Sequence, residues 1–150
     1  MFAAPSTPAS INVSAGTMVV DTSFWISWFL RTDANHAIAV AWLNKHLQGG
    51  GSLLSPTMLA IETASGVARV TNLAALGTQA ASELYTIPFI QIVPMDQNLV
   101  NETTAVAAQF MLRGADAVFV ALAKINSIPL VSFDNEQLTR PTAIISTVRP

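Results

Sequence analysis

Four carboxylates, Asp21, Glu62, Asp116 and Asp134, stand where this chain can least afford an unpaired charge. Asp21 ends the apolar run Met18-Val19-Val20, and Asp134 follows Pro129-Leu130-Val131-Ser132-Phe133. Asp116 opens the nearly all-apolar stretch 117–123, and Glu62 lies within the segment 56–70. With only nine acidic residues in the chain, four in such places are poorly explained as solubilising surface. If the fold gathers them, mutual repulsion requires that they hold protons or hold a cation.

Each acid also has a structural reading. Asp21 could cap a helix starting at Thr22. Asp134, with Gln137 three residues on, fits a capping box. Asp116 in the first turn of a helix is favoured by the helix dipole. On a helical wheel Glu62 falls near Met58, Ser65, Gly66 and Arg69, which makes either a solvated face or a cleft floor with small neighbours.

The elements that would position these side chains are legible. Met18–Asp21 reads as a short buried parallel strand. Residues 22–30 form a helix apolar on nearly every side (Phe24, Trp25, Ile26, Trp28, Phe29, Leu30), which needs cover beyond the core. A second helix, 35–48, sets Ile38, Trp42 and Leu43 against Asn44, Lys45 and Gln48, and Gly49-Gly50-Gly51 stops it. Residues 52–54 suggest a strand, and Ser55-Pro56 the cap and first turn of a helix running to about Val70. Further helices are expected over 73–85, from an Asp96 or Asn98 cap to Leu112, and over 115–126. Strands are expected at 90–93, 129–133 and 143–146, with a helical turn at 134–138. Alternation of this kind predicts an α/β domain, a three-layer α/β/α sandwich with a mainly parallel sheet. In such sheets, sites form beyond the carboxyl ends of the strands, where Asp21 and Asp134 fall.

Composition narrows the class. At 150 residues, one domain with its own core is expected. Hydrophobic residues make up 51% and charged ones 11%, with a mean hydropathy of +0.48. No apolar run reaches the roughly 20 residues of a membrane span, so excess apolar surface points to a dimer or a bound partner. The lack of cysteine excludes thiolate catalysis, disulfides and cysteine-bound zinc. A net charge of −2 argues against a broad basic face for long nucleic acid. Residues 1–17 lack the charged and apolar regions of a secretory signal and read as a flexible tail before a domain at 18–150. A cytoplasmic location is expected.

Other chemistries find little support. His36 and His46 lack metal-ligand spacing. Ser23 and Ser132 lack a nucleophile elbow. Gly49-Gly50-Gly51-Ser52 lacks the lysine of a phosphate-binding loop, and no dinucleotide fingerprint follows the first strand. Arg113, three residues before Asp116, reads first as a salt-bridge partner and second as a phosphate or RNA contact.

Taken in order, the acidic motifs resemble those of the PIN-domain nucleases. Val19-Val20-Asp21-Thr22-Ser23 looks like the opening strand, acid and hydroxyl of that family. Glu62 at the end of Ser55-Pro56-Thr57-Met58-Leu59-Ala60-Ile61 looks like its helical glutamate. Arg113-Gly114-Ala115-Asp116-Ala117, followed by Ala121-Leu122-Ala123, is the most specific match, and Leu130-Val131-Ser132-Phe133-Asp134 is similar to the fourth motif. Size and compactness look most like the toxin ribonuclease of VapBC-type toxin–antitoxin pairs.

The resemblance implies a PIN-like fold in which Asp21, Glu62, Asp116 and Asp134 ring one catalytic pocket binding Mg²⁺ or Mn²⁺, with Thr22 and Ser132 as nearby hydroxyls. It implies an endoribonuclease leaving a 3′-hydroxyl and a 5′-phosphate, an antitoxin protein as partner and a homodimer, with no membrane. Two other readings stay open: a non-catalytic interaction module, and a metal-dependent DNA nuclease or phosphatase.

Overall fold

The computed structural model describes residues 13–150. A five-stranded, all-parallel sheet has the order β3-β2-β1-β4-β5. Its strands are β1 (Thr17–Val20), β2 (Ser52–Pro56), β3 (Ile90–Val93), β4 (Leu130–Val131) and β5 (Thr147–Val148). Helices α1 (Thr22–Phe29) and α2 (His36–Gln48) connect β1 to β2. Helices α3 (Met58–Thr71) and α4 (Ala74–Leu84) connect β2 to β3. Helices α5 (Gln97–Phe110) and α6 (Gly114–Asn126) connect β3 to β4, and α7 (Asn135–Thr139) leads to β5. Right-handed crossovers send the first two connections to one face of the sheet and the β3–β4 connection to the other, giving the expected three layers.

The chain moves outward from β1 to β3, then returns to place β4 on the other side of β1. The β1/β4 junction is therefore the switch point of the sheet, and the carboxyl ends of these two strands border a crevice. Helix α6, buried along 116–123, packs on β1, β2 and β4. Its continuous apolar run is what a helix covering the middle of a sheet requires.

The aromatic content of α1 is largely absorbed within the chain. Phe24 and Trp25 are fully buried; Phe24 stacks on Phe133 and meets Trp42 edge-on, while Trp28 packs edge-on against Trp25 and Phe29. Truncating a buried aromatic of this kind costs about 3–5 kcal/mol. The apolar surface left outside lies mostly elsewhere: Ile61 and Val70 on α3, Leu73 before α4 and Tyr85 after it are exposed. Among the described residues, no single helix is long and apolar enough to cross a membrane.

Two expectations at element ends are corrected. Ser55-Pro56 does not start a helix; it finishes β2, with Pro56 opposite Val93. The β1–β2 offset, seen in the Ser52 N–H bond to the Gly16 carbonyl, would direct the residue-56 amide at the Val20 carbonyl. Proline has no N–H to give, and the Ser55 hydroxyl donates to that carbonyl instead, at 3.1 Å. The final strand is not 143–146. There the Ile144 and Ile145 amides both turn back to the Pro141 carbonyl, and pairing with β4 begins only at Thr147.

The tail expected over residues 1–17 lies largely outside the described residues. Its end joins the sheet, with Thr17 buried in β1.

Candidate active site

Asp21 occupies the residue between β1 and α1 and is fully buried. Its Oδ1 accepts the Phe24 amide at 3.2 Å, which makes it the N-cap of α1, and also the Ser23 hydroxyl at 2.7 Å. Its Oδ2 accepts the Ser132 hydroxyl at 2.5 Å. Both serines are held by backbone amides just beyond β4. The Phe133 amide donates to Ser23 Oγ at 3.0 Å, and the Asp134 amide to Ser132 Oγ at 2.8 Å. Because an amide can only donate, each hydroxyl is left to point its proton at Asp21. The two serines thus brace the end of β1 to the end of β4.

Burial pushes the Asp21 carboxyl up to about 6, against the lowering effect of the three hydrogen bonds, and the nearby Asp134 charge adds a smaller upward push. Among the described residues, no cationic side chain contributes to offset that burial at Asp21.

Asp134, half-buried, caps α7: its Oδ1 accepts the Gln137 amide at 3.0 Å. The expected capping box is only half formed, because the Asp134 amide goes to Ser132 and the Gln137 side chain turns away. Gln137 Nε2 donates to Asp116 Oδ1 at 3.1 Å. Asp116, in the first turn of α6, takes Arg113 Nε on its other oxygen at 2.8 Å. The Arg113 side chain is 78% exposed, and pairing with Asp116 raises its already high pKa.

Arg113, Asp116, Gln137, Asp134, Ser132 and Asp21 therefore form one connected chain of contacts across the β1/β4 crevice. Sequence reasoning missed Gln137 as a member of this site because its spacing from Asp134 is that of a helix cap. Of the hydroxyls near Asp21, Ser23 and Ser132 donate to it, while Thr22 Oγ1 is buried without a partner among the described residues.

Glu62 is half-buried on α3 and makes no hydrogen bond or ion pair with the other three acids. Its location follows from helix register. A Cβ on Gly66 would lie 2.2 Å from Ile26 Cδ1, so α1 and α3 approach closely at that point. Both helices descend from the carboxyl ends of adjacent parallel strands, so one turn back along each sets Glu62 level with Thr22.

Among the described residues, no three Asp, Glu or His side chains stand close enough together to hold a metal ion. Asp116 is turned to Arg113 and Gln137, and Asp21 is enclosed by its serines. The donor chemistry nonetheless suits a hard divalent cation: carboxylate oxygens, hydroxyls and a buried amide oxygen, Gln137 Oε1, that has no partner. A groove of about 520 Å³ lies away from the acids and is lined by residues including Trp28, Phe29, Val40, Leu47 and Phe89.

In a doubly wound parallel sheet, ligand sites form at the switch point, which is where Asp21 and Asp134 lie. The family model for the PIN domain matches residues 18–141, and the chain belongs to the PIN domain family. Solved structures with the same fold include the sarcin-ricin-loop-cleaving toxin VapC20 of Mycobacterium tuberculosis. It is 20% identical, with a TM-score of 0.69, over 89% of this chain and 99% of that one. DNA-bound VapBC from Salmonella typhimurium is 14% identical, with a TM-score of 0.64, over 89% and 97%. FitAcB from Neisseria gonorrhoeae is 20% identical, with a TM-score of 0.61, over 87% and 95%. No curated protein matches the chain in sequence.

Proposed function

We propose that this protein is a divalent-metal-dependent endoribonuclease, the toxin of a toxin–antitoxin pair. The observation that carries the reading is the linked set Asp21, Asp134 and Asp116 at the switch point of a PIN-domain sheet. These three, with Glu62, would hold Mg²⁺ or Mn²⁺. When bound, the ion would neutralise charge developing on the scissile phosphate and make a water easier to deprotonate.

The chain's own groups supply the rest. Ser23 and Ser132 orient Asp21. Glu62, which has no hydrogen-bond or ion-pair partner among the described residues, would take the attacking water's proton. The water oxygen joins phosphorus as the bond to the 3′-oxygen breaks, and the proton passes to that leaving oxygen, giving a 3′-hydroxyl and a 5′-phosphate. Arg113, exposed at the rim, is the candidate contact to a neighbouring phosphate.

An antitoxin partner is supported by the toxin–antitoxin complexes among the structural neighbours. The 520 Å³ groove between α1 and α2 is its candidate seat, and the exposed apolar residues of α3 and α4 are candidates for a homodimer contact.

The test is cleavage of RNA by the purified, partner-free protein with Mg²⁺ or Mn²⁺, lost in folded Asp21→Asn and Asp116→Asn variants. Equal activity in those variants would refute it, and single-stranded DNA in parallel separates the DNA-nuclease reading. One observation favours a non-catalytic interaction module, namely that Asp21 and Asp134 already cap helices and no three acids are at ligand spacing. Absence of cleavage and of Mn²⁺ binding would select that module.

A further inference from the structure

We propose that Gln137 is a positioning residue of the acidic site, bridging Asp116 and Asp134 and holding its amide oxygen ready for a donor that arrives with the cation. The inference rests on the metal-site reading above and adds to it a neutral residue that no acidic pattern reveals.

Gln137 is 3% exposed. Its backbone amide donates to Asp134 Oδ1 at 3.0 Å and its Nε2 to Asp116 Oδ1 at 3.1 Å. Capping α7 uses only the backbone amide, which any non-proline residue would provide, so the side chain is not there for the cap. The amide cannot be reversed, because a flip would set its oxygen against the Asp116 carboxylate, acceptor facing acceptor.

Oε1 is therefore the end left over, and it is buried without a partner. An orphaned buried acceptor is destabilising, a cost that an apolar side chain of the same shape would avoid. Hydrated divalent ions, Mg²⁺ above all, keep several of their waters, and each such water is a hydrogen-bond donor. An uncharged acceptor beside Asp116 would accept from one without adding to the repulsion among the acids.

The test compares the wild type with Gln137→Met, which keeps the shape and removes both polar atoms, and with Gln137→Glu. Three measurements are made on the whole chain: urea unfolding without metal, Mn²⁺ binding by calorimetry, and crystal structures without metal. We expect Gln137→Met to fold with a stability close to the wild type, because shedding the orphaned Oε1 offsets the lost Nε2 bond to Asp116, to bind Mn²⁺ roughly 10–100-fold more weakly, and to show Asp116 displaced. Gln137→Glu, which sets an acceptor against the Asp116 carboxylate, should displace Asp116 as well.

Unchanged Mn²⁺ affinity with Asp116 in place in Gln137→Met would overturn the proposal, as would a loss of stability alone. Should wild-type protein bind no Mn²⁺, the metal reading and the reserved acceptor both fall. The positioning role is then decided by the crystal structures, upheld by a displaced Asp116 and overturned by an unmoved one.

Discussion

Asp21 makes the native state of the metal-free protein sensitive to pH in an unusual direction. Its folded pKa of about 6 lies above the ordinary 3.8 because burial outweighs three hydrogen bonds. A carboxyl raised on folding favours the native state while it is protonated in both states, below about pH 4. As pH rises through 6, the unfolded chain ionises first, and that advantage is lost. Above 6 both states are charged and the loss is complete. At about 1.4 kcal/mol per pH unit, the gap between 3.8 and 6 corresponds to about 3 kcal/mol, a large share of a typical stability of roughly 5–15 kcal/mol.

Asn at position 21 cannot ionise, and its amide oxygen can still accept the Phe24 amide and the Ser23 hydroxyl. The assay is urea unfolding followed by circular dichroism between pH 4 and 7.5, in chelator, for wild type and Asp21→Asn. The difference in unfolding free energy should shift by about 2 kcal/mol in the variant's favour across that range, the rest having been lost below pH 4, and saturating Mg²⁺ should restore the wild type near neutrality. Parallel profiles for the two proteins, or a wild type that gains on the variant as pH rises, would refute the reasoning.

Four further substitutions test the frame around the site. Ser55→Ala should cost about 1–3 kcal/mol, measured by urea unfolding, because the Val20 carbonyl loses the hydroxyl that stands in for the missing Pro56 amide. Gly77→Ala should lower the melting temperature and Gly66→Ala should lower it less. A new Cβ at 77 meets the Ala64 carbonyl oxygen at 2.3 Å, which is backbone, whereas at 66 it meets the end of the flexible Ile26 side chain. Arg113→Ala should change stability by less than about 1 kcal/mol, since the guanidinium is largely solvated, and should weaken RNA binding in a filter or anisotropy assay.

The layers of the fold were legible because they follow from periodic burial. The apolar strand 18–20, the buried face of α6, the glycine stop after α2 and the Asp96 cap of α5 are local patterns with one dominant outcome. What local pattern could not reveal is wherever a distant strand decides. Ser55-Pro56 carries a good helix-start signal, yet pairing with β3 extends the strand through it. Ala143–Ser146 is apolar enough for a strand, but the turn at Pro141 delays pairing by a few residues. The acids of the site were legible as charges in costly places. Their neutral partners were not: Ser23 and Gln137 look like ordinary cap residues until β4 and α6 arrive from more than 20 positions away.

For Asp134 the structural and functional readings need not exclude one another, since a carboxylate has two oxygens and the cap uses only Oδ1. In both Asp21 and Asp134, Oδ1 caps a helix; in Asp21 the second oxygen takes a serine. This dictates how the site must be probed. Asp134→Ala removes the α7 cap together with the charge, and a lost cap costs about 1 kcal/mol, so any lost cleavage is confounded with loosened structure. Asn caps as well as Asp, so Asp134→Asn should unfold within about 0.5 kcal/mol of the wild type while losing RNA cleavage. If Asp134→Asn cleaved normally and Asp134→Ala did not, the carboxylate would be a cap alone, and the acidic site would reduce to Asp21, Asp116 and Glu62.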